Sequence, residues 1–271
     1  MAEVRNTASS AVALHGGILG VADRFRDDDG SADQAAAAAL SAFGAGTGSE
    51  HAALLALAAA RLLVPVVAEL GPAGPAASPE PLPAGAGEKS SDMALPTLVG
   101  RDGRRALPAF TSLQALARWQ PSARPVPADA ALVWRAAEQD SCAVVIDIAG
   151  PVPLEVEGAR LAALARGEPV PAPHEDPDVQ AAVEAVITEA LAGTPAAGPL
   201  AAAGPPDGAL VGFVLHPGLD GGDLLIELAV APAVDAGDLA ARVGPAVLQR
   251  LGSRLRRGVA LALSPDPGQP G

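Results

Sequence analysis

Glu88-Lys89-Ser90-Ser91-Asp92-Met93-Ala94-Leu95-Pro96-Thr97-Leu98-Val99-Gly100-Arg101-Asp102-Gly103-Arg104-Arg105-Ala106-Leu107-Pro108-Ala109-Phe110-Thr111-Ser112 is the stretch that decides the fold. It reads as a strand over 94–99, a tight polar turn, a second strand over 105–110 and the start of a helix. Asp102-Gly103 supplies the turn, because glycine reaches positive φ without steric cost and Asp tolerates it. Thr111 and Gln114 have capping-box spacing, ahead of Leu113, Leu116 and Ala117 at helical intervals. A hairpin that feeds a helix requires a sheet with a helix laid on it.

Upstream, Arg-Leu-Leu-Val-Pro-Val-Val-Ala at 61–68 is a strand with a near-continuous apolar run, which suggests burial on both faces. Pro65 removes one ladder donor and points to an edge or a bulge. Residues 71–87 are rich in Gly, Pro and Ala without periodicity and read as a surface loop before the hairpin. Residues 1–30 show little periodicity and end in Asp27-Asp28-Asp29-Gly30. A calcium loop would need a glutamate at its twelfth position, and none stands there. Ser31 or Asp33 instead caps an alanine-rich helix reaching Phe43. Gly44, Gly46 and Gly48 lack the phosphate-cradle spacing and connect to a second helix over 49–60.

Downstream, a proline-punctuated connection follows Trp119, and Asp129 caps a helix to about Asp140. Leu132, Val133, Ala136 and Ala137 form its buried side, and Trp134 takes a packing role. Residues 143–148 and 152–156 read as strands, with Asp147 sent outward by alternation. A short helix over 158–166 closes at Gly167. His174-Glu175-Asp176-Pro177-Asp178 fails the H-E-x-x-H metal spacing, because Asp178 stands where the second histidine belongs. Asp176 as N-cap with Pro177 in the first turn explains it more simply. Strands at 209–216 and 223–230, a helical region from Asp235 broken at Gly244-Pro245, and a strand at 259–263 complete the chain.

The expected class is α+β with a mixed sheet: helices packed on the sheet of a larger N-terminal domain, then a small β-β-α-β domain. The expected division is 1–30 as a poorly ordered start, 31–192 as the first domain with its loop at 71–87, 193–208 as linker and 209–264 as the C-terminal domain.

A net charge of −13 argues against nucleic acid, which needs a concentrated basic face. One cysteine, Cys142, excludes an internal disulfide framework and reads as a buried thiol on a strand. No basic region followed by a continuous apolar stretch opens the sequence, and the run at 52–68 is interrupted by Arg61 and Pro65. The expectation is a cytoplasmic protein with no membrane partner. Asp147, Glu155 and Glu157 read as edge charges rather than a catalytic pair.

Several segments together resemble the SseB family, the enhanced-serine-sensitivity type proteins, in its actinobacterial branch. They are residues 61–66, 88–94 and 100–103, Leu107-Pro108-Ala109-Phe110-Thr111-Ser112 with Trp119, Asp27-Asp28-Asp29-Gly30 and Pro173-His174-Glu175-Asp176-Pro177. The resemblance covers about residues 20–190. It implies an α/β domain followed by a smaller one, and carries no reaction, cofactor or catalytic residue to transfer.

Two functional readings follow. In the first, the chain is a non-catalytic regulatory or adaptor protein that binds another cytoplasmic protein. Its interaction surface is the turn bearing Arg101, Asp102, Arg104 and Arg105, where guanidinium groups pair with carboxylates or other anions. In the second, it is a small-molecule-binding domain or an enzyme working in a cleft between domains, with His174, Glu175 and Asp176 as the first residues to test. Neither needs a cofactor or a metal.

Overall fold

The computed structural model describes residues 24–68, 93–94, 96–192, 210–230 and 235–264. In chain order the elements begin with α1 (Gln34–Gly44), α2 (Glu50–Ala58), β1 (Arg61–Ala68), β2 (Met93–Ala94), β3 (Leu98–Val99) and β4 (Arg105–Ala109). Then come α3 (Leu113–Trp119), β5 (Arg124–Asp129), α4 (Ala130–Gln139), β6 (Ala143–Ile146) and β7 (Leu154–Val156). The chain continues with α5 (Gly158–Arg166), α6 (Pro177–Ala192), β8 (Leu210–Pro217), β9 (Leu224–Val230), α7 (Ala236–Leu251) and β10 (Val259–Leu263). This is an α+β protein. The expected loop at 71–87, the linker at 193–208 and most of the expected N-terminal segment lie outside the described residues. Contacts divide the chain into two compact units, Met1–Asp33 with Ala59–Glu157 and Gln34–Ala58 with Gly158–Gly271.

In the first unit, a four-stranded sheet has the order β3-β4-β6-β7. The expected hairpin is its edge: Leu98 pairs with Ala106 and Val99 with Arg105. The first strand of that hairpin is shorter than its sequence suggests. Met93 and Ala94 pair with β1 instead, and Pro96 intervenes with no N–H to offer a ladder. β4 and β6 run parallel, joined through α3, β5 and α4, and β7 returns antiparallel. Val133 and Trp134 of α4 are fully buried, so Trp134 packs as its sequence context suggests, while Leu132 is only half-buried.

The second sheet of this unit holds a strand that the sequence conceals. β5, Arg-Pro-Val-Pro-Ala-Asp, pairs antiparallel with β1 from Arg61↔Asp129 to Val66↔Arg124. The prolines fit because of their phase. Leu63 exchanges both backbone bonds with Phe110, at 2.7 and 2.8 Å, so it points away from β5. Pro127 opposite Leu63, and Pro125 opposite Pro65, therefore occupy the non-hydrogen-bonded pairs, where no ladder donor is required. Pro65 faces the other side, in the gap between the Phe110 bridge and β2. Its missing donor falls where β1 has no ladder partner among the described residues.

Two local expectations change. Ser112, not Thr111, caps α3, accepting from the Ala115 N–H at 3.2 Å. Thr111 is drawn elsewhere. Asp147 does not alternate outward: β6 stops at Ile146, and Asp147 turns at φ 48 into the interior, only 8 % exposed. There its carboxylate accepts from the Thr111 N–H at 2.8 Å and the Thr111 hydroxyl at 2.6 Å.

In the second unit, β8 and β9 pair antiparallel and β9 and β10 parallel, in the order β10-β9-β8. The β-β-α-β order is as expected. One core joins it to α6: Val179, Val183, Val186, Ile187 and Leu191 meet Leu224, Ile226 and Leu228 of β9, and Leu239, Val243, Val247 and Leu251 of α7. The helix expected to break at Gly244-Pro245 runs through. An interior proline costs about 3 kcal/mol, but each buried leucine or valine on the opposite face returns about 1.5–3 kcal/mol. Packing decides. Gly244 also admits β10 closely, since a Cβ there would lie 3.1 Å from Leu261 Cδ1.

Candidate functional site

The turn at 100–105 is fixed by its own backbone. Gly100 N–H donates to the Arg104 carbonyl at 2.8 Å, Gly103 N–H to the Gly100 carbonyl at 3.0 Å, and Gly103 sits at φ 82. The Asp102 carboxylate accepts from the Arg104 N–H at 3.1 Å, an Asx arrangement that rigidifies the tip. Residues 100–105 are all exposed.

Of the four residues singled out by sequence, Arg104 is the hub. Its Nε donates to Asp102 at 2.6 Å, and its Nη1 donates to Glu155 at 3.1 Å and Glu157 at 2.8 Å. Both glutamates come from β7 and its end, so the turn is tied across one end of the sheet. The Asp102 carboxylate, followed by Glu155 and Glu157, raises the Arg104 pKa further above its already basic value. Arg104 in turn holds Asp102 below the usual carboxylate range. Arg105 donates to the Asp140 carbonyl. The carboxylates that looked like a solvated edge are half of an ion cluster, and the tip presents both signs of charge.

The other chemical-looking residues do structural work. Asp176 caps α6 as expected, accepting from Asp178 N–H at 2.8 Å, and is fully buried. His174 lies 3.8 Å from Glu175 and is separate from that cap's partners. Asp28 pairs with Arg61 at 2.6 Å and accepts from Gly30 N–H, while Asp29 closes on Ser31. With Asp27, Asp33 and Arg61 they line an open acidic depression of about 390 Å³. Among the described residues, no group of three His, Cys, Asp or Glu side chains is placed to hold a metal ion. Cys142 is half-buried, and burial pushes its thiol up from the ordinary range.

Sequence reasoning missed a buried ion network in the second unit. Glu50 accepts from Arg160 Nη1 at 2.6 Å and Arg254 Nε at 3.0 Å, and Arg254 also donates to Asp176. A signal was present: Arg254-Leu255-Arg256-Arg257 is a basic run in an acidic chain.

Residues 36–163 match the family model described as the SseB protein N-terminal domain. No curated protein and no solved structure matches the chain.

Proposed function

For a chain that belongs to the SseB family, with that family's N-terminal domain at residues 36–163, we propose a non-catalytic role as a regulatory or adaptor protein that binds another protein. The carrying observation is the preorganised tip. Arg101, Asp102, Arg104 and Arg105 stand exposed on a backbone closed by two hydrogen bonds and tethered through Arg104 to Glu155 and Glu157. A surface already held in one geometry loses little conformational freedom on docking. Its mixed charge suits a polar partner surface, with Arg101 and Arg105 set to meet carboxylates and Asp102 to meet a cation. The proposed partner is a cytoplasmic protein; no described helix is long and apolar enough to cross a membrane.

The test is a cross-linked pull-down from native lysate at low salt, wild type beside Arg101→Glu/Arg104→Glu/Arg105→Glu. A partner captured by wild type and lost by the variant supports the reading. A partner held equally by both removes the tip from the interface. Empty lanes for both count against a binding module and turn attention to a thermal-shift screen of metabolites and divalent metals, where specific binding stabilises the native state.

A further inference from the structure

The turn that follows α7 carries three arginines, and each is anchored to a different part of the second unit. Arg257 fixes the turn to the head of β9: its N–H and Nε donate to the two oxygens of Asp223 at 2.7 and 2.9 Å, and Asp223 N–H donates to the Gly258 carbonyl. Arg254 reaches the buried carboxylates of Glu50, at the start of α2, and Asp176, the cap of α6. Arg256 lies over the Phe43 ring, 4.4 Å from its centroid, and donates to the Gly44 carbonyl at 3.4 Å. That carbonyl belongs to the C-terminus of α1, where the helix dipole favours a cation, and the ring adds a cation–π contact.

Two of the three arginines therefore grip the α1–α2 hairpin from a position about two hundred residues along the chain. The grip on Glu50 is deep. The side chains of Glu50, Arg160 and Asp176 are 6 %, 5 % and 0 % exposed, and that of Arg254 is 14 %. Glu50 divides its oxygens between Arg160 and Arg254, so removing Arg254 leaves two buried carboxylates facing one guanidinium. Arg160 is the one guanidinium left beside Asp176, and it reaches that carboxylate only at 4.0 Å, through an Nε that makes no hydrogen bond. The apolar core of this unit, by contrast, draws its buried side chains from α6, β9, α7 and Leu255.

We propose that the turn at 254–257 is a clasp holding the α1–α2 hairpin, and that opening it releases residues 34–58 as one block while the α6–β9–α7 core stays folded. The matched family domain begins within α1 and ends within α5, so Arg254, Arg256 and Asp176 complete it from outside its span. Leu40, Phe43, Leu54 and Leu57 of the hairpin are all buried in the closed form.

Hydrogen–deuterium exchange on the full chain tests this, comparing wild type with Arg254→Met/Arg256→Met and with Arg250→Met, whose exposed pair with Glu189 lies outside the clasp. The double variant is expected to exchange at 34–58 on the order of a hundredfold faster, the scale of an unpaired buried charge, with 224–230 and 239–251 unchanged. Wild-type protection at 34–58 in the double variant overturns the proposal. So does a loss of protection shared equally by the whole second unit. Should the double variant fail to fold, wild-type exchange in graded sub-denaturing guanidinium decides. Opening of 34–58 at lower denaturant than 239–251 supports the clasp, and a common opening overturns it.

Discussion

At Asp147 an ionisable group is kept in a place that a permanently neutral group would occupy at less cost. The residue turns at φ 48, a region that Asn also tolerates, and burial pushes its carboxyl above the usual carboxylate range despite the two Thr111 bonds. A folded-state pKa raised above the unfolded one means that the native state holds the proton more tightly. The stability this group contributes is complete below about pH 4, the unfolded value, and declines as pH rises through the raised folded value. Asp147→Asn cannot ionise, and its carboxamide can accept from Thr111 N–H and donate to the hydroxyl. It is therefore expected to match wild type in acid and to exceed it increasingly as pH climbs, levelling off above the folded pKa. Asp147→Ala leaves the Thr111 N–H unpaired and is expected to cost about 1–3 kcal/mol at neutral pH. Urea titrations of the three proteins between pH 4 and 8 check both statements.

Among the elements, β5 shows what local pattern cannot convey. Three prolines in the β1–β5 pair look like breakers in a list of residues, yet their phase leaves the ladder intact. Whether a proline harms a strand depends on which side its nitrogen faces, and only the pairing partner defines the sides. This gives a paired expectation. Pro127→Val should change stability little, whereas Val126→Pro, one residue away, removes a ladder donor toward Val64 and should cost more than about 1 kcal/mol. Denaturation midpoints separate them. The same logic governs α7, where a breaker-like Gly244-Pro245 is overruled by a buried face, and α3, where adjacent candidates compete for a cap. Ser112 takes the cap because Thr111 has a partner thirty-six positions away. The ion cluster at the hairpin tip is half legible: the turn residues are visible in sequence, while Glu155 and Glu157 are brought to Arg104 only by strand order.

For the whole molecule, the decisive fact is that the second unit is assembled from two separated pieces of chain. α6 shares its core with α7 and β9, so a chain ending at Ala192 would present Val179, Val183, Val186, Ile187 and Leu191 to water and leave Glu50, Arg160 and Asp176 without Arg254. Such a truncation is expected to bind a hydrophobic dye and to lose the cooperative unfolding of the second unit, read by calorimetry against the full chain. The amino-acid sequence by itself determined what short range controls: the turn at Asp102-Gly103, the cap and proline that start α6, the glycine that ends α5, the apolar face of α7 and the α+β class. Each depends on residues within a few positions, through sterics and local hydrogen bonds. Tertiary structure alone decided that β5 is a strand, that Asp147 is buried, and that Glu50 meets Arg254 across 204 positions. Those outcomes depend on which surfaces exclude water together, and that is a property of the folded chain as a whole.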